Sequence, residues 1–452
     1  MSYKILANCA VGLGFSAAGF EEGLRRRPDL VGCDAGSADF GPGYLGLGTD
    51  AKPRSSAAKD LSRLIEGAVR VGAPFVTGSC GGPGARPHVD SFLDIARETA
   101  QNMGRKLRVA VVYADQDPAV LHKALDEDRI RSLGAFQPLT HEAIDASASI
   151  VAMMGTGPLM QALDAGADVV LAGRCADPAI LACGPLRAGI PAPIAWHAAK
   201  TIDKGYLATT RPREGSPVIA TLDDEGFTVE PTKESEACTI HSVAQVTLHE
   251  NPDPFRIIQP SGTLYVEHAK YEQIDDRRVR ITNSGWEPAK RPSVKLEGAR
   301  QIGYRTVMIA GLRDPRLLSR LDEFLDDYRG IVARIVKSLG VGPDDWKMTF
   351  RPYGRNAIMG ETEPMMDAVP HEVGLVVDVV AKTQDLANTI ISRAGPAGSR
   401  YDFTGRLGGG GNFAYPFSPN RLSLGPVFEW SVWHVMDVDD ECAPFRVELV
   451  EV

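Results

Sequence analysis

The sequence predicts an α/β protein: a doubly wound, mostly parallel sheet in the N-terminal half, then a smaller α+β domain and a C-terminal β-rich region. Three observations predict it. Up to about residue 205, six short apolar runs alternate with helical stretches, the pattern of βαβ units. The first of these runs are rich in Val, Ile and Leu and do not alternate with polar residues, as expected when both sheet faces are covered. Near residue 205 the texture turns to Pro, Gly and Asp, and most of the remaining chain reads as strand. These shifts divide the chain into 1–205, 206–345 and 346–452.

Taken in order, the strands of the first segment are 4–8, 30–33, 74–77, 107–112, 150–154 and 168–172. The clearest helical patterns between them are 55–71, 89–103 and 117–127, with 178–186 after the last strand. The second segment opens on turn-rich sequence, including Arg213-Glu214-Gly215-Ser216-Pro217 and Asp223-Asp224-Glu225-Gly226. Strand-like runs come next at 238–248, 278–282 and 305–310, then a helix over 315–339. The last segment holds strands at 347–351, 372–380 and 446–450, and a short glycine cluster at 408–411 that reads as a loop.

In an open α/β sheet, ligands bind outside the carboxyl ends of the strands. Small, polar or charged residues follow each of the six expected strands. The first is followed by Gly12-Leu13-Gly14-Phe15-Ser16, which reads either as an anion site of backbone amides or as a tight packing turn. Asp34 and Asp39 follow the second and could move a proton, orient a hydroxyl, hold a divalent cation, or merely cap the loop. After the third comes Ser79-Cys80-Gly81-Gly82-Pro83-Gly84-Ala85-Arg86-Pro87-His88, the richest stretch of the chain. Its glycines suit close approach of backbone to a ligand, with Arg86 and His88 as charged arms. Asp117, after the fourth, reads as a helix cap. Gly155-Thr156-Gly157, after the fifth, is another glycine-rich turn. Arg174 and Asp177 follow the sixth, and Asp177 reads as a cap or a ligand contact. His197 and His241 stand alone and read as packed or surface histidines.

The 452 residues are 44% apolar and 24% charged, ordinary for a globular chain. No apolar run approaches the roughly 20 residues that span a bilayer, and no signal peptide is evident. The net charge of −9 is interspersed, with no basic stretch interleaved with aromatics, which disfavours nucleic acid as a partner. Seven widely spaced cysteines without a CxxC pair argue against a disulfide framework and a structural zinc, and fit a reducing cytoplasm. The absence of a GxSxG elbow weakens a Ser-His-Asp reading.

Several motifs resemble the acyclic terpene utilisation (AtuA-like) family. Gly78-Ser79-Cys80-Gly81-Gly82-Pro83 stands where that family carries an NAGG-like loop. Gly166-Ala167-Asp168-Val169-Val170-Leu171-Ala172-Gly173-Arg174-Cys175-Ala176-Asp177 is similar to its GADVVxTGRxAD segment. His241-Ser242-Val243-Ala244-Gln245 and the following residues to Asp253-Pro254 look like its TVxEQLLYEIxDP stretch, and Asp276-Arg277-Arg278, Gly303-Tyr304-Arg305 and Phe350-Arg351-Pro352-Tyr353-Gly354 fall into its pattern. At the N-terminus the family's GxxGD and DYLxE segments are replaced. The resemblance implies the fold, a general catabolic role and a small partner subunit; it assigns no catalytic residue.

The residues favour a cytoplasmic enzyme acting on a carboxylic acid or its CoA thioester, a lyase or hydratase working through an enolate-like intermediate. Asp34, Asp39 or His88 would move the proton. Arg86 and Arg174 would bind the anion, and the amides of Gly81 and Gly82 would stabilise the enolate oxygen. Gly12, Gly14, Ser16 and Asp177 would line the substrate site. Two other readings stand beside this one: a non-catalytic binding or assembly subunit, and a hydrolase with Ser79 or Cys80 as nucleophile. A homo-oligomer is expected, because glycine-rich cleft loops often complete sites across a subunit boundary.

Overall fold

A computed structural model describes residues 2–210, 215–249, 251–409 and 411–452. Arg213 and Glu214 of the turn-rich stretch, Glu250, Gly410 of the glycine cluster and the side chain of Cys9 lie outside that description. The chain divides into two compact units, 1–300 with 430–452, and 301–429.

The first unit begins with β1 (Tyr3–Ala10), α1 (Ala17–Arg25), β2 (Leu30–Asp34), α2 (Gly43–Leu47), α3 (Arg54–Val71), β3 (Phe75–Gly78), α4 (Arg86–Met103) and β4 (Arg108–Tyr113). Next come α5 (Pro118–Asp126), β5 (Ile130–Ser132), α6 (His141–Asp145), β6 (Ser149–Met153), α7 (Gly157–Asp164), β7 (Val169–Ala172), α8 (Asp177–Arg187) and α9 (Ala192–Ile202). After these stand β8 (Val218–Leu222), β9 (Gly226–Pro231), α10 (Ile240–Ala244), β10 (Arg256–Gln259), β11 (Gly262–Tyr265), β12 (Lys270–Gln273), β13 (Val279–Thr282) and β14 (Gly285–Pro288). The chain enters the second unit within β15 (Ser293–Leu312), and continues through α11 (Pro315–Leu318), α12 (Leu321–Ser338), β16 (Trp346–Tyr353), β17 (Val373–Ala381) and α13 (Gln384–Ser399). It returns within β18 (Leu422–Asp437) and ends on β19 (Arg446–Glu451).

The main sheet has ten strands in the order β12-β13-β9-β8-β1-β2-β3-β7-β4-β19. Its centre, β1-β2-β3-β7-β4, is parallel throughout. Phe20 of α1, Leu61 and Leu64 of α3, and Phe92 and Ile95 of α4 pack against Val31, Phe75 and Val169 on one face. Fully burying each such side chain stabilises the fold by about 1.5–3 kcal/mol. The alternate residues of β2 face α8: a Cβ on Gly32 would lie 2.2 Å from Leu181 Cδ2. Helices therefore cover both faces, which is why these strands read as continuous apolar runs. β3 hands the chain to α4 on one face, and its neighbour β7 hands it to α8 on the other. The sheet has its topological switch point between these two strands.

Three expectations need correction. The run at 150–154 does not join the parallel sheet, because β6 pairs antiparallel with 295–299 of β15; an apolar run does not say which partner it takes. No unit boundary falls at 205 or 345. Instead β8 pairs antiparallel with the open edge of β1, and β9, β13 and β12 extend the same sheet. The stretch 238–248 is helical, not extended: Thr239 accepts from Ser242 N–H at 3.0 Å in a capping box that starts α10, and a 3-10 turn comes next.

The second unit is an antiparallel sheet of β16, β17 and residues 304–312 of β15, with Phe324 and Tyr328 of α12 and Ile390 of α13 in its core. Arg305 and Arg351 both pair with the buried carboxylate of Asp378, at 2.9 and 3.2 Å. Among the described residues no helix is long and apolar enough to cross a membrane.

Candidate functional site

At the switch point the loops after β3 and β7 are laced together. Ser79 N–H donates to Gly173 O at 2.8 Å, Cys80 N–H to Ala172 O at 3.1 Å, and Arg174 N–H to Gly84 O at 3.1 Å. Only glycine fits at position 84: its φ is +72°, and a Cβ there would sit 2.3 Å from Arg174 N. Arg174 is folded in between these loops, with 6% exposure. Its Nε and Nη2 donate to the two oxygens of Glu297 at 2.9 and 3.2 Å, and Nη1 donates to Ser79 Oγ at 3.1 Å. Glu297, on β15, also accepts from Lys295 Nζ at 2.8 Å. Burial would raise the Glu297 carboxyl, but Arg174 and Lys295 outweigh it and hold it below the usual range. Lys295 also lies over the Trp433 ring, 3.5 Å from its centre.

A few residues away the balance of charge differs. Lys204, just after α9, donates to Asp34 Oδ2 at 3.1 Å and to Asp177 Oδ2 at 2.8 Å. Asp34 ends β2, and its other oxygen accepts from Gly36 N–H at 3.2 Å. Burial, with Asp177 nearby, pushes the Asp34 carboxyl up to about 6 against the pull of Lys204. Burial would lower Lys204, but Asp34, Asp177 and Asp203 hold it above its ordinary range. Asp203 is itself buried against Lys200 at 3.1 Å. The side chains of Asp34, Lys204 and Asp177 are 5, 14 and 19% exposed, so this trio meets solvent through its last two members.

The structure brings Asp34, Asp177, Ser79 and Arg174 to this edge, but it corrects several expected roles. Arg174 is a buried clamp on Glu297, not an open anion anchor. Arg86 is exposed, stacks 3.7 Å from the centre of the Tyr113 ring, and faces Asp115 through its backbone N–H at 2.8 Å. The amides of Gly12 and Gly14 do bind an anion, but it is the chain's own Asp60, at 2.9 and 2.8 Å. Ser16 caps α1 by accepting from Gly19 N–H at 3.2 Å. Gly82 N–H is spent on Ser79 O at 2.9 Å, and Gly81 O accepts from Ala51 N–H at 2.8 Å, so this loop is folded on its neighbours. Asp177 is not the cap of α8, a place taken by Ala176.

The proposed nucleophiles and the other two bases, His88 and Asp39, fare no better. Ser79 Oγ donates to Cys175 O at 3.2 Å, and burial raises the Cys80 thiol well above its ordinary value. His88 is buried, with Nδ1 3.2 Å from Ala85 N and Nε2 3.1 Å from Thr49 O. Asp39 is exposed on a 3-10 turn. Asp34 and Asp39 are therefore not a matched pair for a cation, and no group of three or more candidate metal ligands occurs among the described residues. His197 is fully buried, and burial lowers it to about 3.

Sequence reading missed Lys204, Lys295 and Glu297. Lys204 sits at what reads as a domain boundary. Lys295 and Glu297 alternate with Val294 and Leu296, a pattern that marks one polar strand face without saying that Glu297 is buried. Asn8, in register with Cys33 of β2, was also missed: both its side-chain atoms are buried without a hydrogen-bond partner.

The model of the family described as acyclic terpene utilisation family protein AtuA matches residues 87–188. That segment runs from the start of α4 to just beyond α8 and contains the Gly-Arg-x-Ala-Asp motif, so the resemblance holds there. No curated protein and no solved structure matches the chain.

Proposed function

We propose that the protein is a catabolic enzyme, in keeping with the terpene utilisation named for the family, and that it acts on a carboxylic acid or its CoA thioester. The observation that carries this reading is Asp34: a carboxyl raised to about 6, held 3.1 Å from a lysine that it shares with Asp177. Such a group takes and returns a proton near neutral pH. In the proposed step a proton on the carbon next to the carbonyl passes to Asp34. The electron pair moves to the carbonyl oxygen, where the Lys204 ammonium offers positive charge. Loss of a β-hydroxyl as water, using a returned proton, completes a hydratase-type elimination. Lys204 thus takes the anion-facing role expected of Arg174.

The test is proton exchange. The full chain is incubated in D2O with carboxylic acids and their CoA thioesters, and deuterium at the α-carbon is followed by mass spectrometry. Exchange by the wild type that Asp34→Asn abolishes is the expected result. The closed Arg174–Glu297 clamp favours a second reading, a non-catalytic binding subunit of a homo-oligomer or of a complex with a small partner chain. Saturable binding without exchange or consumption would select it.

A further inference from the structure

The second unit carries a groove of its own. It runs between α12 and β16, the strand at the edge of its sheet, and holds an open cavity of about 760 Å³. Residues 329, 333 and 337 stand at i, i+4 and i+8, so they form one stripe along α12. Trp346, Met348 and Phe350 alternate along β16 and share the face turned to that helix. Ala333, in the middle of the stripe, is exposed, and its short side chain leaves room between the two elements. Met348 is buried and Trp346 half-buried, so the floor is apolar; Val341, in the connecting turn, extends it.

A cation stands on either side of Ala333. Arg329 Nη1 donates to Met348 O at 3.0 Å, and the guanidinium lies 4.9 Å from the centre of the Phe350 ring. Neither contact supplies a formal negative charge, and neither Arg329 nor Lys337 has a carboxylate partner among the described residues. Elsewhere in the unit such charges are matched: Arg305 and Arg351 share Asp378, Arg355 meets Asp322 at 3.2 Å, and Lys382 meets Asp345. The helix dipole favours Lys337 in the last turn of α12, but it fades beyond that turn and does not account for Arg329.

We propose that this groove binds a carboxylate that carries a hydrocarbon tail. Its size falls within the roughly 300–1,000 Å³ of ligand pockets, which are mostly apolar with a few placed polar groups. Arg329, held in place by Met348 O, offers its remaining N–H donors to the carboxylate, and Lys337 adds a second positive charge. The tail lies along Trp346 and Met348, where each CH2 taken out of water raises affinity roughly fourfold. No bond is made or broken at this site, which shares no residue with the Asp34 trio.

The test titrates the full chain in a calorimeter with decanoate, kept below the concentration at which it forms micelles. Saturable binding is expected, and octanoate, two CH2 groups shorter, should bind more weakly by roughly tenfold. Ala333→Leu fills the groove from an exposed helix position that leucine suits. It should weaken binding at least tenfold while leaving the urea midpoint in place. Lys337→Gln removes charge alone and should weaken binding several-fold, whereas Asp34→Asn should bind as the wild type does. Binding unchanged in Ala333→Leu or in Lys337→Gln overturns the site, as does no saturable binding by the wild type. Binding lost in Asp34→Asn and kept in Ala333→Leu also overturns it, and moves the acid to the proposed catalytic centre.

Discussion

Two halves of one sheet edge, both built from buried charge, differ in how completely those charges are matched. Around Arg174 the match is geometric: a planar guanidinium meets both oxygens of Glu297, Ser79 Oγ accepts from Nη1, and Lys295 covers the carboxylate from outside. Around Lys204 one ammonium serves two carboxylates, and one of them is left with a raised affinity for protons. The comparison teaches that an arginine at a strand end is not by that fact a ligand anchor. A fork satisfied within the chain holds loops together, whereas a shared lysine leaves one carboxyl raised in its affinity for protons.

The largest effect should come from breaking the Arg174 half. Glu297→Ala leaves Arg174 buried and unpaired, and should lower unfolding free energy by about 3–5 kcal/mol in a urea denaturation. A loss no greater than that of an exposed pair, about 1 kcal/mol or less, would show that the clamp is not structural. Next in size is Asp60→Ala, which strips the Gly12 and Gly14 amides of their acceptor and should cost about 1–3 kcal/mol by the same measurement.

The Lys204 half is sharpened by pH. The folded Asp34 carboxyl titrates at about 6, whereas in the unfolded chain it titrates at about 3.9. Between these values the folded state binds more protons, so stability falls as pH rises from about 4 to 6. Asp34→Asn should flatten that segment of the stability profile. In the exchange assay the wild-type rate should rise with pH through about 6 as Asp34 becomes a base, and the variant should lack this limb. The smallest effect belongs to Arg86→Ala, which loses an exposed stack on Tyr113 worth about 0.5–1 kcal/mol. Thermal denaturation should barely register it, and substrate KM should not move.

Much of the architecture was legible because it rests on local rules. The strands at 4–8, 30–33 and 107–112 and the helix at 55–71 fall within two residues of β1, β2, β4 and α3, since covered strands and amphipathic helices write their periods into the chain. Asp117 reads as a cap, and it accepts from Ala119 N–H at 2.8 Å. What sequence could not supply was pairing at long range. Nothing near Arg174 announces that Glu297, 123 residues on, will fill its fork. Nothing near Gly12 announces Asp60. The glycine loop does have the anion-binding character expected of it, but the anion comes from α3. Lys204 carries no motif, and its importance appears only once β2 and α8 bring two carboxylates to it.

The strand β19 has a consequence for how the protein is made. It lies antiparallel beside β4, pairing Val447 with Val112 and Glu448 with Val111. At about 5–20 residues per second, a ribosome that has finished β4 needs tens of seconds more to release β19. Through that interval β4 presents a bare edge to every other chain in the vicinity. An open edge of this kind invites pairing with other chains, so the yield of folded protein should fall when translation is slowed.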